Sequence, residues 1–281
     1  MDRLISVVVS TYDRPDALDA VLRGLSKQTD KRFEIVVADD GSGPATTEVV
    51  AKWQEAPRLR IAHVWHPDNG FRLAEIRNRA VVASAGDYLI FLDGDCIPRR
   101  DFIAAHRRLA ETGWMVCGHR LMLTEAFTEA AVRDRLPIED WTLRQWIREL
   151  RRGSINRLSP FVRLPNGLWR RVLVRRRPNK VRGCNMAVWR SDLLKVDGFD
   201  GELVGWGHED NDIATRLGIT GVLLKDGRWA TGVLHLWHEA ADRSMEKRHW
   251  DHIAAARESG RAMPIRGLSS LSAIEPKEAG S

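Results

Sequence analysis

The sequence predicts an α/β fold: an open, mostly parallel sheet flanked by helices and interrupted by a basic helical insertion. Short, nearly continuous apolar runs alternate with segments of helical period through the first third of the chain. Strand, helix and strand in that order imply right-handed crossovers within one sheet. Polar and acidic residues collect where the apolar runs end, which is where ligands bind in such sheets.

Residues 4–10 form a valine-rich run that reads as a buried parallel strand. Asp13, Arg14 and Pro15 then open a helix with Leu18, Val21, Leu22 and Leu25 at helical spacing. Residues 33–38 form a second strand ending at Asp39 and Asp40, and residues 59–65 a third. A helix over about 73–85, closed by Gly86, leads to a fourth strand at 88–92 that runs into Asp93-Gly94-Asp95.

The middle of the chain differs. Residues 141–152 place Leu143, Trp146, Ile147 and Leu150 on one helical face and Arg144, Arg148 and Arg151 on the other. Residues 168–177 interleave apolar residues with arginines. The expected divisions are a nucleotide-binding half at 1–123, the basic insertion at 124–180, an acceptor-side half at 181–260 and a loose tail at 261–281.

Composition narrows the class. With 43% hydrophobic and 29% charged residues, the 281-residue chain can bury a full core and is neither disordered nor fibrous. Its three cysteines, Cys96, Cys117 and Cys184, show no CxxC spacing, which argues against a disulfide framework or structural zinc and favours a reducing compartment. No basic region followed by an apolar stretch marks a secretion signal, and no window approaches a membrane span. A cytoplasmic protein is expected, peripheral on the inner face of a membrane. Residues 144–182 hold thirteen Lys or Arg against one acid, a local charge of +12, so the remainder carries −6 of the net +6. That asymmetry points to an anionic partner, with Arg175, Arg176 and Arg177 as docking candidates and Trp141, Trp146 and Trp169 at headgroup level.

Each motif has a bland reading and a chemical one. Asp93 and Asp95 at a strand end are either a solvated turn or oxygen ligands for a divalent cation. Asp39 and Asp40 are either a strand end with a helix cap or a partner for the N3–H of a uracil-type base. Arg77 is either a solvated helix arginine or a counter-charge for a diphosphate. Trp206 between Gly205 and Gly207 offers a flat wall with close backbone approach, suited to a sugar ring. Glu209 and Asp210 follow at the start of a helix, where carboxylates are favoured. His235 and His238 supply nitrogen donors that the aspartates lack.

Together ISVVVSTYDRP, VVADDGS, EIRNRAVVASAGDYLIFLDGD and RGCNMAVWR with GFDGELVGWGHEDND resemble the glycosyltransferase family 2 core of the GT-A fold. The C-terminal part is of the kind shared with β-1,4-galactosyltransferases. The resemblance covers about 4–123 and 181–240 and leaves the basic middle unexplained. It implies an inverting glycosyltransferase that moves a sugar from a UDP-sugar to a hydroxyl of a glycan or glycolipid, such as lipopolysaccharide core, with Mn²⁺ or Mg²⁺. Thr11, Asp13, Asp39 and Asp40 take the positions of nucleoside contacts, and Arg77 that of the arginine facing the diphosphate. Asp95, His238 and His235 take the metal positions, and Asp93 lies towards ribose or metal. Asp210 resembles the catalytic base and Glu209 a sugar-hydroxyl contact. His208 departs from the pattern, where galactosyltransferases often carry glycine. Competing readings are a nucleotidyltransferase, which would show a glycine-rich phosphate loop, and a non-catalytic polyanion- or membrane-binding protein. A nucleic-acid partner is not expected, since no recognition module is visible.

Overall fold

In the computed structural model, which describes residues 3–57, 59–172 and 177–273, the apolar runs become the centre of a seven-stranded sheet. Its strands are β1 (Ile5–Thr11), β2 (Phe33–Asp39), β3 (Ile61–Trp65), β4 (Tyr88–Asp93), β6 (Trp114–Cys117), β8 (Asn185–Trp189) and β9 (Leu223–Asp226). A smaller sheet holds β5 (Cys96–Pro98), β7 (Arg120–Met122) and β10 (Val233–His235). The large sheet runs β3-β2-β1-β4-β8-β6-β9; the first four strands are parallel, and β8 lies antiparallel between β4 and β6.

Burial explains why the early strands are apolar throughout. Val7, Val9, Ile35 and Val37 point into one apolar layer, which they share with Leu18, Val21, Leu22 and Leu25 of the helix Pro15–Ser26. Val8, Val36 and Ala38 point into the opposite layer with Ile76, Ala80 and Val81 of the helix Leu73–Ala83. With both faces covered, no alternation is needed. The register pairs Thr11 with Asp39 and Ser10 with Asp93, so three polar strand ends lie side by side.

Several expectations are corrected. The helix before β4 stops at Ala83, where Ser84 takes extended geometry and bonds back to the Val81 carbonyl, and not at Gly86. Gly86 serves close approach instead: a Cβ there would lie 2.5 Å from the Ser6 nitrogen. The basic middle is folded onto the core. Trp146 is fully buried, stacked on Phe161 at 4.6 Å and packed with Phe127 and Trp141, so it is not at a headgroup level. Arg170 is fully buried on the carbonyls of Asp226, Arg228 and Leu164, Arg163 is paired with Asp101, and Arg171 with Glu111. Three cations of this stretch therefore have internal partners. Arg144, Arg148 and Arg151 remain exposed on the helix Leu143–Arg152, as does Leu143 at its first position. Arg177 is exposed as well, whereas Arg175 and Arg176 lie outside the described residues.

Residues 261–273, expected within a loose tail, are anchored. The Ile265 and Arg266 amides donate to Asp200, and the Leu268 amide to the Asp197 carbonyl. Residues 274–281 lie outside the described residues. Among the described residues, no helix is long and apolar enough to cross a membrane.

Candidate active site

At the polar strand ends the two sheets and the helix Glu209–Ile219 enclose a cavity of about 1190 Å³. Thr11, Asp40, Asp93, Asp95, Glu209 and Asp210 line it.

On one side, Asp40 is fixed by His66 Nε2 at 2.6 Å and by the Arg72 amide at 2.9 Å. Thr11 keeps a buried hydroxyl without a partner among the described residues. Tyr12, which no sequence motif singles out, stands at the rim and donates to Asp68. Asp39 is fully buried and does not line the cavity; it accepts from the Ser42 amide and meets His63 at 2.9 Å, which shapes the turn. Asp13 accepts from the Gly43 amide and likewise supports the strand ends.

The floor is tied together by Arg77. Its fully buried guanidinium donates to Ser10 Oγ, Glu209 Oε1, Asp93 Oδ1 and the Gly183 carbonyl at 3.0–3.2 Å. It does not line the cavity, and its charged partners are the protein acids Asp93 and Glu209. Desolvation, with Asp95 and Glu209 nearby, pushes Asp93 up to about 6 against the pull of Arg77.

The small sheet assembles a second group. β10 pairs antiparallel with β5, and the Leu236 amide donates to the Asp95 carbonyl. His235 Nε2 thereby lies 3.6 Å from Asp95 Oδ1, and His238 Nε2 3.3 Å from Asp95 Oδ2. Ligand atoms of all three lie within 4.8 Å of one another. One carboxylate with two imidazoles suits a divalent transition-metal ion. The fit extends outward: His238 Nδ1 is 2.7 Å from the Glu239 carbonyl, which fixes the ring with Nε2 towards Asp95. Burial holds His235 below the usual imidazole range, in its neutral, ligating form. Asp93 stands outside this cluster, on Arg77.

The opposite wall begins at the glycine-rich turn. Gly205 and Gly207 have φ of +92° and +105°, which glycine adopts freely. His208 shares the left-handed region at φ +71°, at a cost on the order of 1–3 kcal/mol. Asn211 at 3.0 Å and the Trp250 ring at 4.4 Å hold its imidazole there. Half-buried Trp206 lines the cavity beneath the Arg243 guanidinium. Asp210 accepts from the Gly183 and Asn211 amides, both at 2.7 Å. Burial outweighs these bonds and raises its pKa, and burial together with Asp210 raises that of Glu209. Arg120 and Arg182 also line the cavity; in the sequence they are two among many other arginines.

The profile of glycosyl transferase family 2 matches residues 6–179, and that of the N-terminal domain of galactosyltransferase matches residues 171–234. Validoxylamine A glucosyltransferase of Streptomyces hygroscopicus subsp. jinggangensis is 29% identical over 245 residues, 82% of this chain and 55% of that protein. Chondroitin synthase of Pasteurella multocida is 27% identical over 227 residues, 76% of this chain and 23% of that one. The chain thus spans about half the length of the first and a quarter of the second. Among solved structures, a mannosyltransferase from Pyrobaculum calidifontis in complex with GDP-Man and Mn²⁺ superposes with a TM-score of 0.57 at 17% identity, covering 100% of this chain and 77% of that one. S. aureus TarS gives 0.61 at 15% identity, covering 90% and 39%. These likenesses show the GT-A fold.

Proposed function

From the premise that the chain belongs to glycosyltransferase family 2, with a galactosyltransferase-like C-terminal part, we propose that it transfers a sugar from a UDP-sugar to an acceptor hydroxyl with inversion. The observation that carries this reading is a carboxylate, Asp210, held on the cavity wall by two backbone N–H groups and joined through Gly183 and Arg77 to the donor-side acid Asp93. Thr11 and Asp40 take the nucleoside, Asp93 lies towards its ribose, and Trp206 and Glu209 face the transferred sugar. Asp13, Asp39 and Arg77 position these groups from behind. A divalent ion, Mn²⁺ or Mg²⁺, held by Asp95, His235 and His238, would offset the charge of the diphosphate.

Asp210 accepts the proton of the acceptor hydroxyl as that oxygen bonds to the anomeric carbon. The bond from that carbon to the β-phosphate oxygen breaks, its electrons leave with UDP, and no covalent enzyme intermediate forms. Family 2 membership over residues 6–179 favours a sugar transferase over a nucleotidyltransferase or a non-catalytic polyanion-binding protein. The exposed arginines Arg144, Arg148 and Arg151 favour an acceptor presented at an anionic membrane surface. The test is a screen of nucleotide sugars with Mn²⁺ for donor turnover, with the product anomer read by NMR. A retained anomeric configuration, or turnover of no UDP-sugar, would overturn the proposal.

A further inference from the structure

Three backbone segments are pressed together beside Gly183. The Gly118 amide donates to the Asn185 carbonyl at 2.8 Å, the Gly227 amide to the Cys117 carbonyl at 2.7 Å, and Asn185 Nδ2 to the His119 carbonyl at 3.0 Å. Glycine is required for this closeness: a Cβ on Gly118 would lie 2.1 Å from Asn185 Cγ, and one on Gly227 2.8 Å from the Cys117 carbonyl oxygen. Each segment delivers an arginine to the same neighbourhood, namely Arg120, Arg182 and Arg228. Arg157 joins them by donating to the Arg120 carbonyl at 3.0 Å.

Of these four guanidiniums only one has a carboxylate partner among the described residues. Arg228 forks onto Asp226. Among the described residues, Arg120 has only the weak acceptor Cys184 Sγ at 3.6 Å, and Arg182 only the carbonyls of Val181 and Asn179. Arg157 Nε is buried with no partner among the described residues. Arg120 and Arg157 are half-buried and Arg182 is exposed; among the described residues none of the three forms an ion pair, and the acids nearest in charge, Asp93 for Arg120 and Asp210 for Arg182, lie beyond that reach, which leaves donors open to an anion. His119, in their midst, registers the field. Its burial, then the charges of Arg157 and Arg228, pull its imidazole down to about 4, with Asp226 opposing and Arg182 adding to the effect.

Arg120 and Arg182 face the cavity, and Arg182 adjoins Gly183, whose amide holds the Asp210 carboxylate. We propose that Arg120 and Arg182, with Arg157 behind them, seat an anionic substituent of the acceptor, a carboxylate or a phosphate, next to the base. The inference deepens the transferase reading and rests on it for the identity of the occupant. Arg182, next to Gly183 and so to Asp210, places the charge on the acceptor side, while Arg120, on Cys184 beside Asp93, stands at the border with the donor side.

The probes are inorganic phosphate and glucuronate, added to the full chain while the His119 resonance is followed by NMR; His119→Gln assigns it. A bound anion should raise the His119 midpoint by about one pH unit. Arg182→Ala and Arg157→Gln should each weaken probe binding about tenfold, Arg182→Lys should restore part of it, and UDP affinity with Mn²⁺ should not change. The ratio of glucuronate to phosphate affinity distinguishes the two anions. Neither probe moving His119, or Arg182→Ala lowering UDP affinity as much as phosphate affinity, overturns the proposal; the second result would assign the seat to the donor diphosphate. A parent protein that fails to bind UDP counts against the donor reading alone, since the phosphate measurement needs no nucleotide.

Discussion

Arg77 and Glu209 stand 132 positions apart in the chain, yet Arg77 Nη1 donates to Glu209 Oε1 at 3.0 Å. The same guanidinium holds Asp93, so one buried cation joins the strand end of the first half to the helix start of the second. Removing it leaves two crowded carboxylates without their counter-charge. Arg77→Ala should cost about 3–5 kcal/mol of stability, read by urea unfolding, and Arg77→Lys should recover only part, because an ammonium cannot fork. A loss no larger than that of an exposed pair, under about 1 kcal/mol, would contradict this role.

Asp210→Asn keeps the shape of the base and removes its proton acceptor. Turnover should fall by ~10²–10⁴-fold, while UDP-sugar affinity measured by calorimetry stays the same. Glu209→Gln should mainly weaken donor binding. Near-normal turnover by Asp210→Asn would place the base elsewhere, with Asp212 and His208 next to test.

The pH profile follows from the same carboxylate. Burial raises the Asp210 pKa above its ordinary 3.8, so the protonated, inactive form persists to higher pH. Activity should therefore fall as pH falls, along an acid limb lying above 3.8. Asp93, at about 6, titrates on the same limb, and Asp93→Asn separates the two. A rate flat down to the range of an exposed aspartate would contradict the assignment.

Metal dependence rests on Asp95, His235 and His238. Asp95→Ala should abolish Mn²⁺ binding detected by EPR without changing the unfolding midpoint by more than a few degrees. Full activity in excess EDTA would remove the metal from the scheme.

The exposed arginine face makes a separate claim. Replacing Arg144, Arg148 and Arg151 by glutamine should weaken binding to anionic vesicles by about 1 kcal/mol per charge, and salt should weaken the binding of the parent. Equal binding to neutral and anionic vesicles would give this face some other role.

The strand core and the polar strand ends are legible in the sequence because β1, β2 and β4 are buried on both faces and leave an unbroken apolar signature. The place of β8 between β4 and β6 is not, since an antiparallel neighbour nearly 100 residues away leaves no local mark. Arg77 stands out in the sequence, but its role does not, because spacing cannot tell a guanidinium facing a ligand from one buried beneath the site. Trp146 is misplaced by sequence alone because an arginine-rich helix looks amphipathic for a membrane as readily as for an aromatic pocket. Arg120, Arg182 and Arg228 carry no motif, because their convergence depends on glycine-tight crossings in space.

The Arg77 link also bears on how the protein is made. Synthesis proceeds from the N-terminus, and at ~5–20 residues per second the ribosome needs roughly 7–26 s to pass from Arg77 to Glu209. Through most of that interval β4 lacks its neighbour β8, and Arg77 lacks half of its partners. The nascent chain thus exposes an apolar strand edge beside an unpaired cation, the kind of surface that recruits chaperones. The same dependence makes the chain a natural split reporter: fragments divided within residues 124–180 should stay silent apart and regain function only when brought together.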